Sequence, residues 1–322
     1  MSDSVPSLSI VIEWENAGRI GAARARRMLS TLHDQLRELG PAPGAGHEII
    51  LLHDPRKVER ESVIASLRDA AGDWPAEITC VAAPGGGYYQ QKNAGAALAR
   101  GDIVIFLDSD VVPEPGWLAA LTAPFASPGV DVVCGNTFVD PDGLYAAAMA
   151  LTWIFPLRSA ESGLVRSPYF YANNVAIRRA VFARHPFPET GQFRGQCGFL
   201  ADELVRSGHE IYLSRDAQVA HAPPQGLKHF VVRALWGGHD DRIRAKRLGP
   251  QKAAGPTRPL AARVGGRFAR IFRERGRVGL GLGGAVVAAG LAILYQGLRL
   301  TAYLASAAAP KLVESGLARV DL

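Results

Sequence analysis

Ile103-Val104-Ile105-Phe106-Leu107-Asp108-Ser109-Asp110 is a run of five apolar residues leading into two carboxylates with one residue between them. A short, continuous apolar run of β-branched and aromatic residues is expected to form a strand buried on both faces. Open sheets of alternating strands and helices bind ligands at the carboxyl ends of their strands. The acidic triplet stands at such an end. Two carboxylates at i and i+2 can meet one hard cation together with phosphate oxygens, the usual way Mg²⁺ is shared between protein and substrate. A solvated acidic turn is the other reading of the same three letters.

Outward from this strand, the first hundred residues alternate. Strands are expected at Leu8–Ile12, Glu48–Leu52, Ile78–Ala82 and Ile103–Leu107, with helices at about Arg19–Leu39, Val58–Ala71 and Gln90–Arg100. This alternation indicates crossover units and a mainly parallel central sheet flanked by helices, an α/β class. Further on, helices are expected at Trp117–Phe125, Val175–Ala183, Phe199–Arg206 and Leu227–Arg247. Strands are expected at Val130–Cys134, Glu210–Leu213 and Gln218–Ala220. Gly249–Pro259 reads as a linker from its glycine and proline content.

Ala99-Arg100-Gly101-Asp102 followed by the strand and triplet resembles the core signature of family 2 glycosyltransferases, which have the GT-A nucleotide-binding fold. Asn16 after the first strand is similar to that family's asparagine, although Glu13-Trp14-Glu15 replaces its proline-led turn. Glu48 to Asp54 resembles its second strand and acidic pair, with His53 in place of the first acid. Gly87, Lys92, Asn93 and Gly95 resemble its glycine-basic-asparagine segment, and Tyr171–Arg179 and Ala217–His221 also match. The resemblance covers about residues 7–240. It implies inverting transfer from a nucleoside-diphosphate sugar, with Mg²⁺ or Mn²⁺ as cofactor, while a lipid-linked or envelope-glycan acceptor is expected from the apolar tail alone. It places Asn16, His53, Asp54, Lys92, Asn93 and Asp108 against the donor, and Asp108, Asp110 and His221 at the metal. Arg233, Trp236 and His239 loosely resemble a segment lining the donor or acceptor site, with core packing by Trp236 equally open.

The pattern departs where the family usually carries its general base. A Gly-Glu-Asp segment is expected at the start of the helix before the late strands, and Gly195-Gln196-Cys197 stands there. An amide cannot usefully accept a proton near neutral pH. Either Asp202 or Glu203 on the same helix is the catalytic base, or another group serves, or the protein binds a sugar nucleotide without transferring it. Losing a general base typically costs about 10²–10⁴-fold in rate.

Charge is unevenly distributed. The net charge of +6 combines −6 over residues 1–241, +11 over 242–277 and +1 thereafter. The basic stretch precedes Val278–Tyr295, eighteen residues without a charge. Basic residues beside an apolar run point to a membrane surface rather than to nucleic acid, which would call for interleaved aromatics. The expected organisation is a catalytic domain at 1–248, a basic collar at 249–277, a membrane-associated segment at 278–309 and a tail at 310–322. The expected location is the cytosolic side of the cytoplasmic membrane. Whether the apolar segment spans or lies on the bilayer stays open, since eighteen residues is near the lower limit for crossing. No basic cluster and apolar run opens the chain, so no cleaved export signal is expected. Cys80, Cys134 and Cys197 form neither a metal-type pair nor a disulfide framework.

Overall fold

The structure, a computed structural model, describes residues 6–42, 46–190, 194–248 and 260–320. The expected linker at 249–259 lies outside the described residues. In chain order the elements begin with β1 (Leu8–Glu13), α1 (Ala17–Ile20), α2 (Ala22–Leu39), β2 (Glu48–His53), α3 (Arg60–Ala70) and β3 (Glu77–Ala82). They continue through α4 (Tyr88–Leu98), β4 (Ile103–Asp108), β5 (Val111–Pro113), α5 (Trp117–Thr122), β6 (Val132–Val139), α6 (Gly143–Thr152) and β7 (Leu164–Arg166). After these come β8 (Asn174–Arg178), α7 (Arg179–Arg184), α8 (Gln196–Arg206), β9 (Ile211–His221) and α9 (Gly226–Leu248). The last helices are α10 (Leu260–Glu274), α11 (Leu282–Ala308) and α12 (Pro310–Ala318).

Two compact units result. One is drawn from Met1–Phe138, Arg158–Thr190 and Gln196–His221, the other from Val139–Leu157, Gly191–Gly195 and Ala222–Leu322. The units cut the chain at His221, so α9 goes with the C-terminal helices, whereas the sequence reading drew the first domain to 248.

The first unit holds a mixed sheet with strand order β3-β2-β1-β4-β8-β6-β9-β5, β7 pairing with β9. The first four strands are parallel, because each returns through a helix. The pairings β4–β8, β6–β8, β5–β9 and β7–β9 are antiparallel. Alternation along the strands loads both faces. Ile10, Ile12, Ile49, Leu51, Ile103 and Ile105 meet Met28, Leu29, Leu32 and Leu36 of α2 on one side. Val11, Ile50, Val104, Phe106 and Val175 meet Tyr89 and Leu200 on the other. Gly95 lets α4 lie close to the sheet, since a Cβ there would stand 2.5 Å from Val11 and 2.7 Å from Leu52.

Two segments differ from expectation. Val175–Ala183 reads as helical by its apolar spacing, but Asn174–Arg178 is strand β8 and only Arg179–Arg184 is helix. A central strand covered on both faces loses the alternation that would reveal it. The two short late strands are one, β9.

The second unit is helical. Ala147, Ala148 and Leu151 of α6, Ile271 of α10, and Ala285, Ala288, Ala289 and Ala292 of α11 form one cluster. Val232 and Trp236 of α9 pack with Leu317 of α12, so Trp236 is a core residue here. Among the described residues, α11 is the one helix long and apolar enough to cross a membrane, by length and composition alone.

Candidate active site

The parallel register sets the site. Glu13 lies beside Leu52 and Asp108, and His53 beside Ala82, so four strands end along one edge. Asn16, Asp54, the loop 83–87 and the acidic triplet all leave the sheet there. Immediately after the triplet, β5 pairs with β9 so that Val111 faces His221. This brings His221 back, and its Nε2 stands 3.4 Å from Oδ2 of Asp110. Arg24 of α2 ties the same corner, donating to the carbonyls of Asp110 at 3.0 Å and Ala220 at 2.8 Å.

The two carboxylates of the triplet have different surroundings. Asp108 receives Lys92 Nζ at 2.7 Å, and the Tyr88 hydroxyl lies 2.7 and 2.8 Å from its two oxygens. Lys92 is 0% exposed, with its ammonium 4.7 Å from the centre of the Tyr88 ring. Tyr88 and Lys92 are four apart on α4 and therefore share a face. Asp110 is also buried, yet its Oδ1 has no protein hydrogen-bond partner, and neither has the Ser109 hydroxyl. A buried carboxylate oxygen without a partner is costly unless something supplies the missing contact.

The other residues expected at the donor divide in the same way. Asp54 is buried and accepts Arg56 Nε at 2.9 Å and the amides of Arg56 and Gly85 at 3.0 and 3.2 Å. The side-chain hydrogen bond from Arg56 holds the Asp54 carboxyl well below the usual carboxylate range, against the opposing effect of burial. Asp54 thus binds the loop after β3 to the end of β2 and presents the exposed Arg56 guanidinium. The His53 Nδ1 meets the Val58 carbonyl at 2.9 Å, so it carries the proton there, leaving Nε2 buried without a partner. Asn16 donates to Glu13 at 2.6 Å, and the Glu15 amide donates to the same carboxylate at 3.2 Å, making Glu13-Trp14-Glu15 a turn closed on itself. Asn93 spends its amide on the backbone of Phe187, at 2.8 and 3.0 Å, and so fixes packing rather than facing the edge.

Asp202 and Glu203 are not brought to this edge. Asp202 pairs with Arg206 one turn on, at 3.0 Å, and Glu203 with His185 at 2.8 Å. The His185 ring packs against His209, which pairs with Asp131. Asp131 hydrogen-bonds Arg178, which lies opposite Ile103 at the start of β4. Five strand residues, about 17 Å, separate that level from Asp108. The start of α8 is nearer, because Tyr89, next to Tyr88, donates to Cys197 Sγ at 3.4 Å. Among the described residues, no group of three His, Cys, Asp or Glu side chains gathers as a metal site would require.

Four residues escaped the sequence reading: Arg24, Arg56, Tyr88 and Tyr89. The four-residue spacing to Lys92 could have flagged Tyr88. Arg24 gives no local signal, since its partners are 86 and 196 residues away.

Known proteins resemble this chain in sequence and in fold. The chain is 30% identical over 199 residues to the pre-mycofactocin glycosyltransferase of Mycobacterium tuberculosis strain H37Rv, covering 60% of the chain and 40% of that protein. It therefore spans about two fifths of that relative's length. It is 23% identical over 179 residues to the glucosyl-dolichyl phosphate glucuronosyltransferase of Haloferax volcanii, covering 49% and 55%. Among solved structures, a mannosyltransferase from Pyrobaculum calidifontis in complex with GDP-Man and Mn²⁺ superimposes with a TM-score of 0.55 at 17% identity, covering 96% and 90%. That likeness shows the GT-A fold. The family model described as glycosyl transferase family 2 matches residues 9–185, more than half of the chain, so the chain belongs to glycosyl transferase family 2.

Proposed function

We propose that this chain transfers a sugar from a nucleoside-diphosphate sugar to an acceptor hydroxyl, with inversion at the anomeric carbon and with Mg²⁺ or Mn²⁺. The observation that carries the reading is the buried, unpartnered Oδ1 of Asp110 with His221 at 3.4 Å beside its other oxygen. Two protein donors and the donor's phosphates fit a hard cation, and Asp110 and His221 are the residues that would hold it. When bound, such an ion offsets the negative charge building on a departing diphosphate.

The protein groups prepare that binding. Lys92 neutralises Asp108, so the strand end presents the single charge of Asp110 to an approaching diphosphate instead of two. Arg24 fixes the backbone on both sides of the Asp110–His221 pair. His53 offers an acceptor nitrogen, and Arg56, oriented by Asp54, offers donors to the nucleotide. A lipid-linked or envelope-glycan acceptor accords with the apolar helix α11 and with the Haloferax relative's name. The accompanying location is a membrane face supplied with nucleotide sugars, the cytosolic one.

A second reading, a sugar-nucleotide-binding protein that does not transfer, is favoured by one observation. The start of α8 carries Gln196 and Cys197, and the carboxylates of Asp202 and Glu203 are engaged elsewhere. Incubating the purified chain with a panel of nucleotide sugars, Mn²⁺ and membrane lipid extracts, and measuring nucleoside-diphosphate release, separates the two. Transfer predicts release that depends on the extract. Binding of a donor without turnover for any extract supports the silent reading, and no binding of any nucleotide sugar contradicts both.

A further inference from the structure

The exposed side of α11 is unusual for a helix in water. Leu282, Val286, Ile293 and Leu304 are 66%, 63%, 55% and 58% exposed, with Val287 and Leu294 beside them. Between them the outward positions are Gly283, Gly290, Gly297, Thr301 and Ala305. Spacings of three and four place all of these on one stripe, and the stripe bears no charge along the whole helix. The buried stripe is mostly small, Ala285, Ala288, Ala289, Ala292, Ala302 and Ser306, with Tyr295 and Gln296 among them. Most of the branched aliphatic side chains therefore face outward.

The inner side of α11 is held to α9 by polar and charged contacts. Arg299 of α11 pairs with the buried Asp241 of α9, and Ser306 hydrogen-bonds His239 of α9 at 2.9 Å. Gly238 of α9 lies so close that a Cβ there would stand 2.1 Å from the Arg299 carbonyl. Helix α9 runs beside α11 from Phe230 against Tyr295 to Arg242 over Tyr303, and carries Arg233, Asp240, Asp241 and Arg242 over that length. If α11 crossed the bilayer, the helix bound along it would take these charges into hydrocarbon, where each is costly. A helix lying in the interface buries only its apolar side and leaves its partner in water.

Charge at one end fits an anionic surface. Arg267 and Arg270 are used inside the unit, donating to the carbonyls of Thr152, Ala150 and Phe155 at the end of α6. Arg273, Arg275 and Arg277, set against the lone Glu274, flank the apolar stripe where α11 begins. Leu144 of α6 reaches the same end, beside Gly284. Basic residues next to an in-plane apolar face are attracted to anionic headgroups.

We infer that the C-terminal helical unit binds an anionic lipid surface with α11 lying in the interface rather than crossing it. This deepens the membrane-associated reading above and rests on it. Flotation of the purified full chain with sealed phosphatidylcholine vesicles containing about 30% phosphatidylglycerol is the test, with pure phosphatidylcholine as the comparison. The chain is expected to float with the anionic vesicles, more weakly with neutral ones, and to be stripped by alkaline carbonate. Val286→Asp with Ile293→Asp, both at exposed positions, is expected to weaken flotation at least about tenfold. Should the aspartates unfold the unit, Val286→Ser with Ile293→Ser carries the same expectation in a milder form. Flotation that resists carbonate overturns the in-plane placement while leaving membrane association standing. Absence of flotation with either vesicle overturns both. Conversion of a dimer to a monomer by the variants, with flotation unchanged, overturns the lipid assignment in favour of a second copy of the chain.

Discussion

Asp108 and Asp110 are two residues apart, yet the protein treats them in opposite ways. Around Asp108 the structure is closed, with a buried lysine and a tyrosine hydroxyl on its oxygens. Asp110 is buried too, but only one of its oxygens is near a partner, His221, and the other has no protein partner. The difference teaches that two carboxylates so close in sequence need not share one role. Asp108 anchors α4 to the end of β4, and Asp110 keeps a buried oxygen that the proposed cation would take.

The largest effect expected from this contrast is on stability. Lys92→Met leaves Asp108 buried without its counter-charge, and removing one partner of a buried pair typically costs about 3–5 kcal/mol. Urea unfolding measures it; a loss below about 1 kcal/mol would show that Asp108 finds solvent or another partner and that the region is not closed. Tyr88→Phe removes a hydrogen bond to a charged group and is expected to cost about 1.5–3 kcal/mol in the same assay. No loss would mean the hydroxyl serves a ligand instead of the fold.

The smallest effect concerns the neighbouring edge. Asp54 titrates well below its unfolded value because of Arg56. Its contribution to stability is therefore fully present above about pH 4, the unfolded carboxylate value, and is lost as pH falls from there toward the folded one. Arg56→Ala should narrow the stability difference between neutral and acid pH, read from urea midpoints, and added salt should mimic part of it because Arg56 is exposed. An unchanged acid profile would show that Arg56 is not what holds the Asp54 carboxyl low.

Much of this was legible in the letters for a physical reason. The four parallel strands and their helices follow from apolar runs alternating with helical periodicity, and β4 with its triplet marks the ligand edge. His221 could be placed near Asp110 only through the family resemblance, since its approach depends on the β5–β9 pairing across 110 residues. Strand β8 was misread because burial on both faces erases the period of two. The roles of Asn93 and Asp54 as ties were hidden, because hydrogen bonds to Phe187 and Gly85 leave no pattern in sequence. Asp202 and Glu203 stand on α8 as bases would by position, but their partners, Arg206 and His185, leave no mark in the sequence.

The most direct test is titration calorimetry of UDP and GDP into the wild-type chain and into Asp110→Ala, each with and without Mn²⁺. Wild type is expected to bind at least one of the two nucleotides about tenfold or more tightly with the ion, and Asp110→Ala is expected to lose that gain. Its unfolding free energy from urea titration should stay within about 1 kcal/mol of wild type, because the Asp110 carboxylate holds little of the fold together. An Asp110→Ala protein that keeps the full Mn²⁺ dependence would contradict the account.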